Sequence, residues 1–121
     1  MATFHSYTPF DFTHQGADWV TPKLPTGVTC CTAAQSEAMA NVVRHASLWS
    51  SANGYPVVLG EFGAYNTADM ASRAAYTRQM RQLADAVNMP WIYWEFADGF
   101  GVYDPASKSF RTELLNALMN R

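Results

Sequence analysis

Residues 56–63 read Pro-Val-Val-Leu-Gly-Glu-Phe-Gly, an aliphatic run without polar alternation that ends on a carboxylate, Glu61. A strand of this kind is covered on both faces, as the strands of parallel α/β sheets are. That restricts the chain to architectures in which helices cross between parallel strands. Glu61 falls where such a strand would emerge into a loop, and a carboxylate at the rim of an apolar core raises the free energy unless partners compensate. The glycines on either side, Gly60 and Gly63, are expected to leave it approachable by a ligand.

The rest of the chain repeats the same unit. Thr3 to Tyr7 is short, aromatic and β-prone, and Thr8 to Cys31, rich in Pro, Gly, Thr and Asp, is expected as a long loop. Long loops in compact domains are usually functional. Thr32-Ala33-Ala34-Gln35 has the form of a capping box and opens a helix that Asn53-Gly54 ends. Its apolar positions are Ala34, Ala38, Val42 and Ala46, joined by Met39 and Val43. A second unit is Val57 to Glu61 as strand, a loop through Tyr65 and Asn66, and a helix from about Ala68 to Val87 with the stripe Met80, Leu83, Ala84 and Val87. A third is Trp91 to Phe96 as strand, a loop from Ala97 to Lys108, and a terminal helix carrying Leu114, Leu115, Leu118 and Met119. Strands alternating with helices imply right-handed βαβ crossovers and a parallel sheet. No linker divides the chain, so residues 1–121 form one domain.

Composition narrows the partners. Hydrophobic residues are 49% and charged residues 15% of the chain, which excludes disorder. A net charge of −2 leaves no electrostatic footprint for nucleic acid or an anionic membrane. No stretch is apolar enough to span a bilayer, and the first twenty residues lack the basic start and hydrophobic centre of a signal peptide. Aromatic residues are 14%, with several in Gly/Asp-rich segments, and flat apolar faces in wet loops suit polar ligands with planar faces, such as sugars. A bridge between the adjacent Cys30 and Cys31 would be strained, so they are expected as structural or free loop thiols. His5, His14 and His45 lack ligand-like spacing, so neither a metal site nor a cofactor is implied.

In parallel α/β sheets ligands bind at the carboxyl ends of the strands. His5 and Tyr7 end the first expected strand, Glu61 the second, and Trp94 with Glu95 the third. A lone His or Tyr at a strand end is more often a satisfied structural residue; the joint pattern is what points to a site.

His5-Ser6-Tyr7, the segment Phe10-Asp11-Phe12-Thr13-His14-Gln15-Gly16-Ala17-Asp18-Trp19, Leu59-Gly60-Glu61-Phe62-Gly63 and Trp91-Ile92-Tyr93-Trp94-Glu95-Phe96 together resemble the last three βα units of a family 5 glycoside hydrolase of the bacterial endoglucanase type. The resemblance covers essentially the whole chain, and the order and spacing of four segments carry it. It implies an α/β fold made of the C-terminal three βα units, strands 6 to 8, of a (β/α)8 TIM barrel. That barrel would be incomplete, since a whole one needs about 250 residues. It also implies a retaining hydrolase of β-1,4-glucans and an extracellular or periplasmic setting for the full-length parent.

Residue by residue, the resemblance makes Glu61 the nucleophile, with Tyr7 donating its hydroxyl to it and His5 orienting neighbours or contacting substrate. Trp94 would be the platform on which the sugar at the cleavage point stacks. Trp19 is a candidate for a more distant subsite, with a packed loop anchor as the alternative. Strand ends can bring two carboxylates to the about 5–5.5 Å that a retaining glycosidase uses, which on sequence alone would pair Glu61 with Glu95. The family instead takes its acid/base Glu from an Asn-Glu pair after the fourth strand, and this chain contains no Asn-Glu. Glu95 is therefore expected to be structural, and the chain alone to be inactive. Its unpaired sheet edges and open inner strand faces call for a covering partner, either the missing N-terminal half of the barrel or a second copy. Three other readings stay open: a non-catalytic carbohydrate-binding unit using Trp19 and Trp94, a mannan-type family 5 fragment, and a stand-alone domain with chemistry between Glu61 and Glu95.

Overall fold

The aliphatic run forms strand β2, Val57–Glu61, which pairs in parallel with β1, Ala2–His5. The structure is a computed structural model that describes residues 1–119. Between the strands lie a short helix α1, Phe10–Thr13, and a long helix α2, Ala33–Asn53. The capping box at Thr32 forms as the sequence predicts: its side chain accepts from the Gln35 N–H, and the Gln35 side chain accepts from the Thr32 N–H. Gly54, at φ 70°, ends α2 in the left-handed conformation that suits glycine. The buried line of α2 runs through Met39 and Val43, with Ala46 packed beside it, whereas Ala34 is exposed.

Helix α3, Met70–Ala86, starts on Asp69, whose side chain accepts from the Ser72 N–H. It packs between α2 and the C-terminal helix α4, Thr112–Met119. The expected stripe is present in Met80 and Ala84, but Val87 lies outside the helix and is exposed, and α3 also buries Ser72, Arg73, Thr77 and Arg81. A helix covered on two sides has more interior than one apolar stripe can fill. Arg81 is accommodated there by donating Nε–H to the Ala117 carbonyl of α4, and Arg73 by donating to the Ala64 carbonyl. In α4, Leu114 and Ala117 are buried.

Two expectations are corrected. Trp91–Phe96 does not form a strand; it touches β2 through a single parallel bridge, Leu59↔Trp91, with Ile92 N–H bonded to Leu59 O and Trp94 N–H to Phe62 O. The cause is a bulge at Gly60. On the β1 side Phe4↔Leu59 is followed by His5↔Glu61, and on the other side the two-residue step from Ile92 to Trp94 matches the three-residue step from Leu59 to Phe62. An extra residue on one strand breaks a regular ladder with both neighbours. The loop expected from Ala97 to Lys108 holds the start of a small antiparallel hairpin, β3 Tyr103–Asp104 with β4 Ser109–Phe110.

The two glycines have a packing role. A Cβ on Gly60 would collide with Thr3 Oγ1 and lie 3.3 Å from the His5 ring; one on Gly63 would collide with the Trp94 carbonyl oxygen. Both allow neighbouring segments to approach closely. The core beneath the sheet is built on Leu59, Phe62, Tyr76, Met80, Met39 and Phe12, all fully buried. Ile92 and Phe96 stay exposed, with the Phe96 ring stacked on Tyr103 of β3.

Candidate active site

Three of the expected side chains meet at the end of the β1–β2 ladder. Ser6 N–H bonds to Glu61 O and carries the pairing one residue past β1, so Tyr7 emerges beside the carboxylate. The Tyr7 hydroxyl donates to Glu61 Oε2 at 2.7 Å, and His5 Nδ1 lies 3.3 Å from the same oxygen. Glu61 Oε1 takes no bond from any described residue. Among the described residues, one oxygen is thus held and the other is not. Burial pushes the Tyr7 hydroxyl well above the usual tyrosine range, and its hydrogen bond to Glu61 and the charges of Glu61 and Glu95 add to that. Tyr7 therefore keeps its proton, and remains a donor, across the neutral range.

Tyr7 is itself held in place. Thr13 Oγ1 donates to the Tyr7 carbonyl at 2.7 Å, and the phenol ring meets His14 edge-on, with centroids 4.9 Å apart, and Phe100 at 5.8 Å. The segment bearing these residues is pinned by Gln15, which is fully buried. Its Nε2 donates to the carbonyls of Phe12 and Val28, and its Oε1 accepts from the N–H groups of Gly27 and Val28. One side chain thereby bonds four backbone groups of the long loop, of which Phe12 O also accepts the Gln15 N–H.

Trp94 and Trp19 lie in a recess of about 350 Å³. They line it with Tyr65, Asn66, Glu95, Asp98, Gly99 and Phe100. Trp94 is 42% and Trp19 58% exposed, so both indoles reach solvent. Trp19 rests edge-on against Tyr65 at 4.8 Å, and Tyr65 in turn lies against Gly99, where a Cβ would meet its ring. Glu95 Oε1 accepts from the Phe100 N–H at 3.3 Å and so braces the loop behind Trp94. Tyr65, Asn66, Asp98 and Phe100 carry no signal in the sequence beyond lying in loops that follow strands.

The cysteine expectation is corrected. The Cys30–Cys31 peptide is cis, the two Cα atoms are 3.0 Å apart, and the sulfurs are bonded to each other. Among the described residues, no group of three or more His, Cys, Asp or Glu is arranged to hold a metal ion, and no helix is long and apolar enough to cross a membrane.

This arrangement of strand ends has close counterparts. Residues 1–99 match the family described as Cellulase (glycosyl hydrolase family 5), and the chain belongs to that family. Endoglucanase 3 of Fibrobacter succinogenes is 30% identical over an alignment covering 83% of this chain and 20% of that protein. Among solved structures, a hyperthermophilic endo-β-1,4-glucanase in complex with substrate superposes with a TM-score of 0.92 at 42% identity, covering 98% of this chain and 39% of that one. Cel5A of Thermotoga maritima in complex with cellobiose superposes at 0.91 with 38% identity, covering 96% and 38%. The chain therefore spans about a fifth of the curated relative and under half of the solved enzymes, and carries a partial (β/α) fold of their kind.

Proposed function

We propose that the chain is the nucleophile-bearing part of a retaining endo-β-1,4-glucanase, formed by strands 6 to 8 of a (β/α)8 barrel. The observation that carries this is the asymmetry of Glu61: Tyr7 and His5 both address Oε2, and Oε1 takes no bond from any described residue. In this reading Oε1 attacks the anomeric carbon, the bond from that carbon to the departing sugar oxygen breaks, and a glycosyl ester forms on Glu61. Water later displaces the ester. Trp94 is the platform for the sugar being attacked, and Trp19 serves a more distant ring.

The departing oxygen needs a proton, and Glu95 is engaged with the Phe100 N–H. We assign that proton to a Glu outside these 121 residues, in the N-terminal part of the barrel. Without it, turnover of ordinary glucan falls by roughly 100-fold or more. The same missing part would cover the exposed Ile92 and Phe96 and the free edge of β1, with a second copy of the chain as the alternative cover. The full-length parent is placed outside the cytoplasm, where polymeric glucan is met.

Mannan is a second substrate class, favoured by the relative whose structure holds mannotriose. Carbohydrate binding without catalysis is favoured by the exposed indoles of Trp19 and Trp94 alone.

A substrate whose leaving group needs no protonation tests the proposal on the chain itself. Incubation with 2,4-dinitrophenyl 2-deoxy-2-fluoro-β-cellobioside should leave a fluorocellobiosyl ester on the peptide containing Glu61, and none in Glu61→Gln. Labelling elsewhere, or cellotetraose binding that depends on Trp94 with no adduct at all, would replace this reading with the binding one.

A further inference from the structure

The backbone ladder between β1 and β2 stops one rung before it has to. In a parallel pair, a residue whose N–H bonds to one residue of the partner strand accepts at its carbonyl from the residue two further along. Ser6 N–H bonds to Glu61 O, so the next rung would join Gly63 N–H to Ser6 O. A side chain takes that place. The Tyr76 hydroxyl, reaching in from α3, donates to Ser6 O at 3.3 Å, and the Gly63 N–H bonds to the same phenol oxygen.

Tyr76 is wholly buried, with its ring 5.7 Å from that of Phe12. Burial pushes its hydroxyl well above the usual tyrosine range, so it stays protonated, with its one hydrogen given to Ser6 and its oxygen accepting from Gly63. Both partners are buried and flank the site: Ser6 precedes Tyr7, and Gly63 lies two residues past Glu61. Three residues earlier on α3, Arg73 donates Nε–H to Ala64 O at 3.0 Å. The helix therefore grips two consecutive residues behind the carboxylate.

We propose that Tyr76 is a positioning residue for the Tyr7–Glu61 pair: its hydroxyl, inserted as the last rung between the two strand ends, sets the separation across which the Tyr7 phenol meets the carboxylate. A direct backbone rung spans about 2.9 Å from nitrogen to oxygen. A rung carried through a hydroxyl spans two bonds, so the strands part where Tyr7 and Glu61 project. Without the hydroxyl, Ser6 O and Gly63 N–H would stay buried without this partner or close on each other, and either outcome moves Tyr7 relative to Glu61. The inference rests on the reading of Glu61 as the nucleophile and adds what holds its hydrogen-bond donor in place.

The test compares the wild-type chain with Tyr76→Phe, which keeps the ring beside Phe12. In the wild type, NMR should show a nuclear Overhauser contact between the Tyr76 hydroxyl proton and the Gly63 N–H, and no through-hydrogen-bond coupling between the Gly63 nitrogen and the Ser6 carbonyl carbon. In Tyr76→Phe, the fluorocellobiosyl ester on Glu61 should form roughly three- to tenfold more slowly, the effect of one neutral hydrogen bond, at an unchanged final yield. The Tyr7 Cζ resonance, which reports the bond to Glu61, should shift in the same variant. A coupling between Gly63 and Ser6 in the wild type overturns the proposal, and does so even if Tyr76→Phe fails to fold. An unchanged rate constant with a lower yield shows a role in stability alone and overturns it while leaving the nucleophile reading intact. A slower rate with the Tyr7 resonance unmoved has the same meaning. A wild-type chain that forms no ester on Glu61 removes both.

Discussion

The Tyr7 hydroxyl reaches Glu61 Oε2 at 2.7 Å across 54 residues of sequence, joining the ends of two parallel strands through a single charge-assisted hydrogen bond. A bond of this kind contributes about 1.5–3 kcal/mol. Tyr7→Phe keeps the ring contacts with His14 and Phe100 and removes only the donor. Formation of the fluorocellobiosyl ester on Glu61, followed by intact mass, should slow roughly tenfold to a hundredfold. An unchanged rate would mean that the bond holds the fold and does not serve the chemistry.

Gly60 should tolerate no side chain. Its α-hydrogen faces Thr3 and the His5 ring, and a methyl there would push β1 away from β2. Gly60→Ala is expected to lower stability by about 1–3 kcal/mol, in the range for overpacking, as measured by urea unfolding. Because the His5 ring also lies against this position, the His5–Glu61 contact should be disturbed as well, visible as changed His5 ring chemical shifts by NMR.

Gln15→Leu keeps volume and removes all four hydrogen bonds of the buried amide. The N–H groups of Gly27 and Val28 would then be left without their partner. A loss of about 2–4 kcal/mol is expected from four bonds of about 0.5–1.5 kcal/mol each, partly offset where water reaches the exposed Gly27. Limited proteolysis should cut between residues 20 and 29 faster in the variant than in the wild type. Equal cutting would show that other contacts hold this loop.

Asp69 supplies a pH-dependent cap. The Ser72 backbone N–H, and then its hydroxyl, hold the Asp69 carboxyl below its ordinary 3.8. A depressed carboxyl stabilises the fold fully above the unfolded value, and that contribution is lost as pH falls through the lower folded value. Asp69→Ala should therefore cost about 1 kcal/mol at pH 7 and progressively less below pH 3.8. Asp69→Asn, which caps without ionising, should match the wild type at pH 7 within a few tenths of a kcal/mol. A cost for Asp69→Ala that does not change with pH would count against the charge.

Local signals made much of this fold legible. The capping box at Thr32, the stop at Gly54 and the aliphatic run ending at Glu61 are each set by a few neighbouring residues, and each appears where the sequence places it. Trp91–Phe96 has strand-like composition, but pairing is a property of two segments, and the bulge at Gly60 disrupts the ladder from outside it. Arg81 lies outside the stripe that the sequence marks on α3 and is buried where α4 returns over it, a contact between residues 36 apart. The site divides the same way. Glu61, Tyr7 and His5 follow from strand ends, whereas the recess formed by Tyr65, Asp98 and Phe100 depends on loops without periodicity.

The amide clasp at Gln15 also bears on how a ligand would be received. Thr67 Oγ1 donates to the Gln15 carbonyl, and Tyr65 N–H donates to the Thr13 carbonyl at 2.8 Å, so the loops bearing His14, Trp19 and Tyr65 are tied together without any ligand. Recognition surfaces that must first become ordered lose about 0.5–1.5 kcal/mol for each immobilised side chain. Here that ordering belongs to folding. Calorimetry of sugar association should find little configurational entropy left to lose, with the aromatic wall acting as a rigid template rather than a closing hand.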